Sequence, residues 1–160
     1  MRGLGLVMAV LLLGVSSARA DSLHIIINGK AVHLEVSGRN EDNWGAGFEY
    51  DFRPRGHWIP FATASGFKDS HSNMSYYAGG GAKHRFSLGS DSREFHIDAG
   101  IVGFLMTRKG FHDDRPFPGA LPFVSLGTDR VAINAVYIPK MQPKMAALFF
   151  FQLSLKVADL

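Results

Sequence analysis

The chain has 160 residues, with 17 Lys and Arg, 14 Asp and Glu, 18 Gly, 13 Phe and no Cys. That length suits a single domain, and the missing cysteines exclude a disulfide scaffold. Arg2 and Arg19 fall within a leader, so the remainder is nearly neutral and carries no charge excess for a nucleic-acid partner.

Residues 1–20 read as a secretory signal peptide, with Arg2 ahead of the apolar run 4–15 and an exit at Ala18-Arg19-Ala20. The mature domain is then 21–160, and no later apolar run approaches the roughly 20 residues of a membrane-spanning helix. Abundant glycine and the absence of long 3.6-residue periodicity favour short strands separated by turns. Eight strands are expected near 23–34, 44–52, 58–67, 75–86, 94–106, 121–127, 130–138 and 147–157. Their even number, their lengths and the alternation of short with long connections predict an all-β fold, an eight-stranded antiparallel transmembrane β-barrel of the outer membrane. Closure satisfies every backbone donor and acceptor, which a disulfide-free chain in a bilayer needs.

In the last strand Phe151, Leu153 and Leu155 alternate with Gln152, Ser154 and Lys156, placing the polar set inside. The fifth strand starts with Glu94, His96 and Asp98 on one side and becomes apolar on both faces from Ala99. An interior that is polar at one end and apolar at the other follows, with room for one acyl chain. An interior packed shut is the simpler alternative. The run Gly79-Gly80-Gly81 suits either a void or a tightly curved wall. Pro122 and Pro139 fall inside apparent strands and would open the hydrogen-bond ladder, leaving a slot through which lipid tails enter. The connection 108–118, with Arg108, Lys109, Asp113, Asp114 and Arg115, reads as an exposed loop facing lipopolysaccharide phosphates, or as a solvated charge cluster.

Asp69 and Ser70 sit where the third strand ends, and His33 near the outer end of the first. An imidazole accepts a hydroxyl proton near neutral pH, a carboxylate orients it, and a serine hydroxyl attacks an ester or donates to its carbonyl. The same three residues also read as a strand-end trio bonded to loops and water. The other histidines show no metal-ligand spacing, and no metal or cofactor is expected. Gly45-Ala46-Gly47 lies inside a strand and is no nucleotide fingerprint.

The ordered segments 43–48, 67–70, 78–81, 95–97, 121–127 and 136–139 resemble the outer-membrane lipid A palmitoyltransferases. The resemblance implies a membrane-embedded, monomeric barrel that moves a palmitoyl chain from a phospholipid donor to a hydroxyl of the acceptor lipid A. Asp69 and Ser70 match the family's Asp-Ser, and His33 is the candidate for its histidine. Gly81 matches the glycine at the floor of the acyl pocket, which acts as a hydrocarbon ruler. Pro122 and Pro139 match the prolines beside a lateral lipid entrance. Asn43 departs from the pattern, standing where enteric members have proline. A lipid A deacylase or phospholipase, and a non-catalytic structural barrel, stay open as alternatives.

Overall fold

The computed structural model describes residues 20–34, 42–69, 71–89, 95–140 and 147–160. They form β1 (Ala20–His33), β2 (Asp42–Phe52), β3 (Trp58–Lys68), β4 (Met74–Ser87), β5 (His96–Thr107), β6 (Phe117–Gly127), β7 (Val131–Ile138) and β8 (Leu148–Asp159). Each strand pairs antiparallel with the next, and β8 pairs with β1 to close the barrel. The leader, apart from Ala20, lies outside the described residues.

Every expected strand overlaps an observed one. The largest shift is in β6, which starts at Phe117 instead of 121 and runs through Pro118 and Pro122. It keeps its register with β5 across both prolines, Leu105 opposite Pro118 and Ile101 opposite Pro122. The β6–β7 register covers only Phe123 opposite Val136 to Gly127 opposite Ala132. Proline is compatible with a strand whose other edge is unpaired, so the stretch 117–122 extends without a partner on its β7 side.

The two-residue alternation sorts side chains cleanly. Trp44, Phe48, Tyr76, Ile101, Leu105 and Ile133 point outward and are exposed, giving an apolar outer wall. Inside, each strand changes character along its length. Going down β6, Phe123 belongs to the apolar core cluster and Ser125 to a polar layer; in β4, Tyr77 is followed four and six positions later by Gly81 and Lys83. The polar layer occupies the end of the barrel that carries the chain termini. Lys83 Nζ lies 2.8 Å from Glu49 Oε1 and 2.9 Å from Asp51 Oδ2. The Arg85 guanidinium grips Asp98 with two contacts of 2.9 Å and reaches Asp129 at 2.9 Å. Charges taken out of water need such close, multiple pairing to offset their lost hydration. The interior is thus polar at one end and apolar toward the other.

A second polar element crosses the barrel higher up. Gln152 Nε2 donates to Asn28 Oδ1 at 2.7 Å and to the Tyr77 hydroxyl at 3.0 Å, while Asn28 Nδ2 donates to Ser65 Oγ at 2.6 Å. These bonds tie β1, β3, β4 and β8 together across the lumen, at a level the strand patterns taken one at a time do not reveal.

Candidate active site

Above the charged layer the interior is not packed shut: it holds a cavity of about 400 Å³. That volume is at the lower end of the range for sites that enclose one small ligand. Its walls are largely apolar, with Phe61, Phe67, Phe123, Phe150 and Leu148 among them. Phe61 and Phe123 meet edge to face with centroids 5.6 Å apart, and Lys83 Nζ lies 5.4 Å from the Phe61 ring. This ring pair forms the last apolar layer before the charged one. Glu49 and Asn134 line the cavity from below.

The mouth lies at the end of the barrel opposite the termini, where His33, Asn43, Asp69 and Arg108 all line the cavity. His33 ends β1 opposite Leu148 of β8. Asp69 follows β3 and is only 2% exposed. Its Oδ1 accepts the backbone N–H groups of His71 at 2.8 Å and Asn73 at 3.0 Å, which closes the turn into β4. Its Oδ2 faces Arg108 Nε at 3.4 Å and accepts from the Ser75 hydroxyl at 3.5 Å. Asp69 is therefore at once the cap of its turn and the counter-ion that draws Arg108 to the mouth.

The structure brings His33, Asp69 and Pro139 to one cavity. Ser70 lies outside the described residues. Pro122 points outward from β6, beside the stretch that lacks a β7 partner. Pro118 and Ala120 point outward too, yet they line the cavity together with Gly119 and Pro139. The cavity thus extends to the barrel wall between β6 and β7. Gly81 faces inward, in register with Phe61 of β3 and Val102 of β5. A Cβ there would stand 3.0 Å from Phe61 Cζ and collide with the carbonyl oxygen of Ile101. The ring of Phe61, not Gly81 itself, borders the cavity at this level.

Arg108 and Asn43 were the residues that strand-by-strand reading passed over as functional. Arg108 falls in the connection 108–118, expected as an exposed loop facing lipopolysaccharide phosphates or a solvated charge cluster, but it shares parity with Asp98 and Val102 of β5, and continuing the inward alternation past Met106 finds it. Asn43 likewise shares parity with Glu49. Among the described residues no group of His, Asp and Glu could hold a metal ion.

Fold and site define a class: a small closed antiparallel barrel enclosing one apolar, laterally reaching cavity with an imidazole, a carboxylate and a guanidinium at its mouth. Within that class the chain belongs to the family described as antimicrobial peptide resistance and lipid A acylation protein PagP, whose model matches residues 32–153. It is similar to the lipid A acyltransferase PagP of Methylobacillus flagellatus, 30% identical over 118 residues that make up 73% of this chain and 62% of that one. To the lipid A acyltransferase PagP of Bordetella pertussis it is 34% identical over 118 residues, 73% of this chain and 63% of the relative. The match thus spans less than two thirds of either relative's length. Among solved structures, the outer membrane protein Ail of Yersinia pestis superposes with a TM-score of 0.47 at 11% identity, covering 86% of this chain and 99% of that one.

Proposed function

We propose that this protein is an acyltransferase of the bacterial outer membrane that moves a palmitoyl chain from a glycerophospholipid to a hydroxyl of lipid A in the outer leaflet. The observation that carries the reading is the cavity above the charged layer: largely apolar, of a volume that suits one chain, bordered by His33, Asp69 and Arg108 at its mouth and by Pro139 at the wall. Family membership supports the lipid A acceptor, and exposed aromatic residues toward both ends of the barrel, Trp44 and Tyr76 toward the mouth and Trp58 toward the termini, support residence in a bilayer. The cavity lining is drawn from one closed barrel, which suits a protein that works as a monomer.

In this reading the donor's acyl tail enters between β6 and β7, beside Pro122 and Pro139, and its ester comes to rest at the mouth. The acceptor hydroxyl oxygen attacks the ester carbonyl carbon, the bond to the glycerol oxygen breaks, and palmitoylated lipid A and a lysophospholipid leave. His33 takes the hydroxyl proton and returns it to the departing glycerol oxygen. Arg108, held by Asp69, places positive charge where the carbonyl oxygen becomes an oxyanion. Ser70, next in sequence to Asp69, serves the same centre as a hydroxyl donor that steadies the developing charge. No step calls for a metal or cofactor.

Mass spectrometry of lipid A from cells with and without the protein tests the reading. An added palmitoyl group is the expected result; a lost acyl chain would make the protein a deacylase, and an unchanged spectrum would leave a structural barrel. His33→Ala, Asp69→Ala and Ser70→Ala should each abolish the modification while the barrel keeps its heat-modifiable mobility. Full activity in all three would sink the assignment.

A further inference from the structure

The β2–β3 register runs from Asp51 opposite Phe61 to Gly45 opposite Phe67 and stops there. Beyond it the join is continued by a side chain: Asn43 Nδ2 donates to the carbonyl oxygen of Lys68 at 2.7 Å. This bond fixes the orientation of the amide, because only its NH2 half has protons to offer a carbonyl. Oδ1 consequently faces away from Lys68. It is buried and meets no hydrogen-bond donor among the described residues, on a side chain that is 2% exposed. A buried amide oxygen without a donor costs stability, and folded proteins retain few of them. Asn43 borders the same cavity mouth as His33, Asp69 and Arg108.

We propose that Asn43 is a substrate-positioning residue whose Oδ1 accepts a hydrogen bond from an O–H or N–H group of the acceptor beside the hydroxyl that receives the acyl chain, holding that hydroxyl at the mouth with its own proton left for His33. The proposal rests on the acyl-transfer reading above. The chemistry selects this partner: ester and phosphate groups of the donor lipid offer only acceptor oxygens, whereas the acceptor molecule brings hydroxyl or amide protons beside the reacting oxygen, which is what Oδ1 lacks. The Lys68 bond fixes the amide before substrate arrives, so little ordering is left for binding to accomplish.

The test uses the full chain refolded in lipid–detergent micelles, with dipalmitoyl phosphatidylcholine as donor so that the head group carries no N–H. Transfer to lipid A is measured against release of palmitate to water when lipid A is omitted. Asn43→Leu removes the amide at similar volume, with Asn43→Ala in its place if Leu blocks folding. Asn43→Asp keeps an oxygen where Oδ1 stands but sets a second acceptor against the Lys68 carbonyl. The Leu variant should lose roughly 10- to 100-fold in transfer at subsaturating lipid A, the worth of one hydrogen bond to substrate, through a raised KM for lipid A. Its release of palmitate to water should stay near that of the unmodified protein. The Asp variant should transfer better than the Leu variant despite the weaker clasp. If transfer and hydrolysis fall together, or Asp is the worse of the two, Asn43 is only a clasp between strands and the proposal is overturned. If the unmodified protein neither transfers nor hydrolyses, the acyl-transfer reading itself fails and takes the proposal with it.

Discussion

Replacing Phe61 by alanine tests where the cavity ends. Phe61 is 4% exposed, touches Phe123 edge to face and stands over Lys83. Truncating a buried phenylalanine costs about 3–5 kcal/mol. The edge-to-face contact accounts for about 0.5–1.5 kcal/mol of that and the cation–π contact for about 0.5–2 kcal/mol, the rest being lost burial and the new void. A folded domain commonly has about 5–15 kcal/mol in hand, so the variant should still fold, with a lowered urea midpoint followed by Trp44 and Trp58 fluorescence. The void opens directly below the cavity, because Gly81 across the sheet has no side chain to fill it. A longer acyl chain should then be accepted, read by mass spectrometry of lipid A formed from donors of mixed chain length. If Phe61→Ala folds with the expected loss of stability and the chain-length profile does not move, the Phe61–Phe123 pair is not the floor and the reasoning is refuted. Gly81→Met is a less clean probe, since its Cβ must displace the Ile101 carbonyl before it reaches the lumen.

Two further outcomes follow from the geometry. Lys83→Met leaves Glu49 and Asp51 buried without their cation and should destabilise the barrel by about 3–5 kcal/mol; the combined Lys83→Met, Glu49→Gln, Asp51→Asn variant should regain much of this in a urea titration, and a single variant as stable as the parent would contradict it. Pro122→Ala with Pro139→Ala restores two backbone donors where the β6–β7 ladder ends, so transfer from bilayer-embedded donor should slow more than transfer from detergent-dispersed donor, and equal slowing of both would argue against entry at this seam.

Much of the fold was legible in the sequence because a strand's side chains alternate with a period of two, whatever the strand pairs with. Gln152, Ser154 and Lys156 could be assigned inward from β8 alone, and the turn at Asp69 from the side-chain chemistry of aspartate. Pro122 and Pro139 marked the broken ladder because a missing N–H is a property of the residue. The relations between strands were not legible, since register depends on closure. Only the tertiary structure decided that Arg108, just past the end of β5, faces the Asp69 carboxylate, and that Phe61 fills the space over Gly81. It also decided that Asn28, Tyr77 and Gln152 meet across the lumen, and that Asn43 spends its NH2 on Lys68 while its oxygen meets no donor among the described residues. Each of these joins residues distant in the chain, brought together by the stagger at which eight strands close, and no local pattern encodes that stagger.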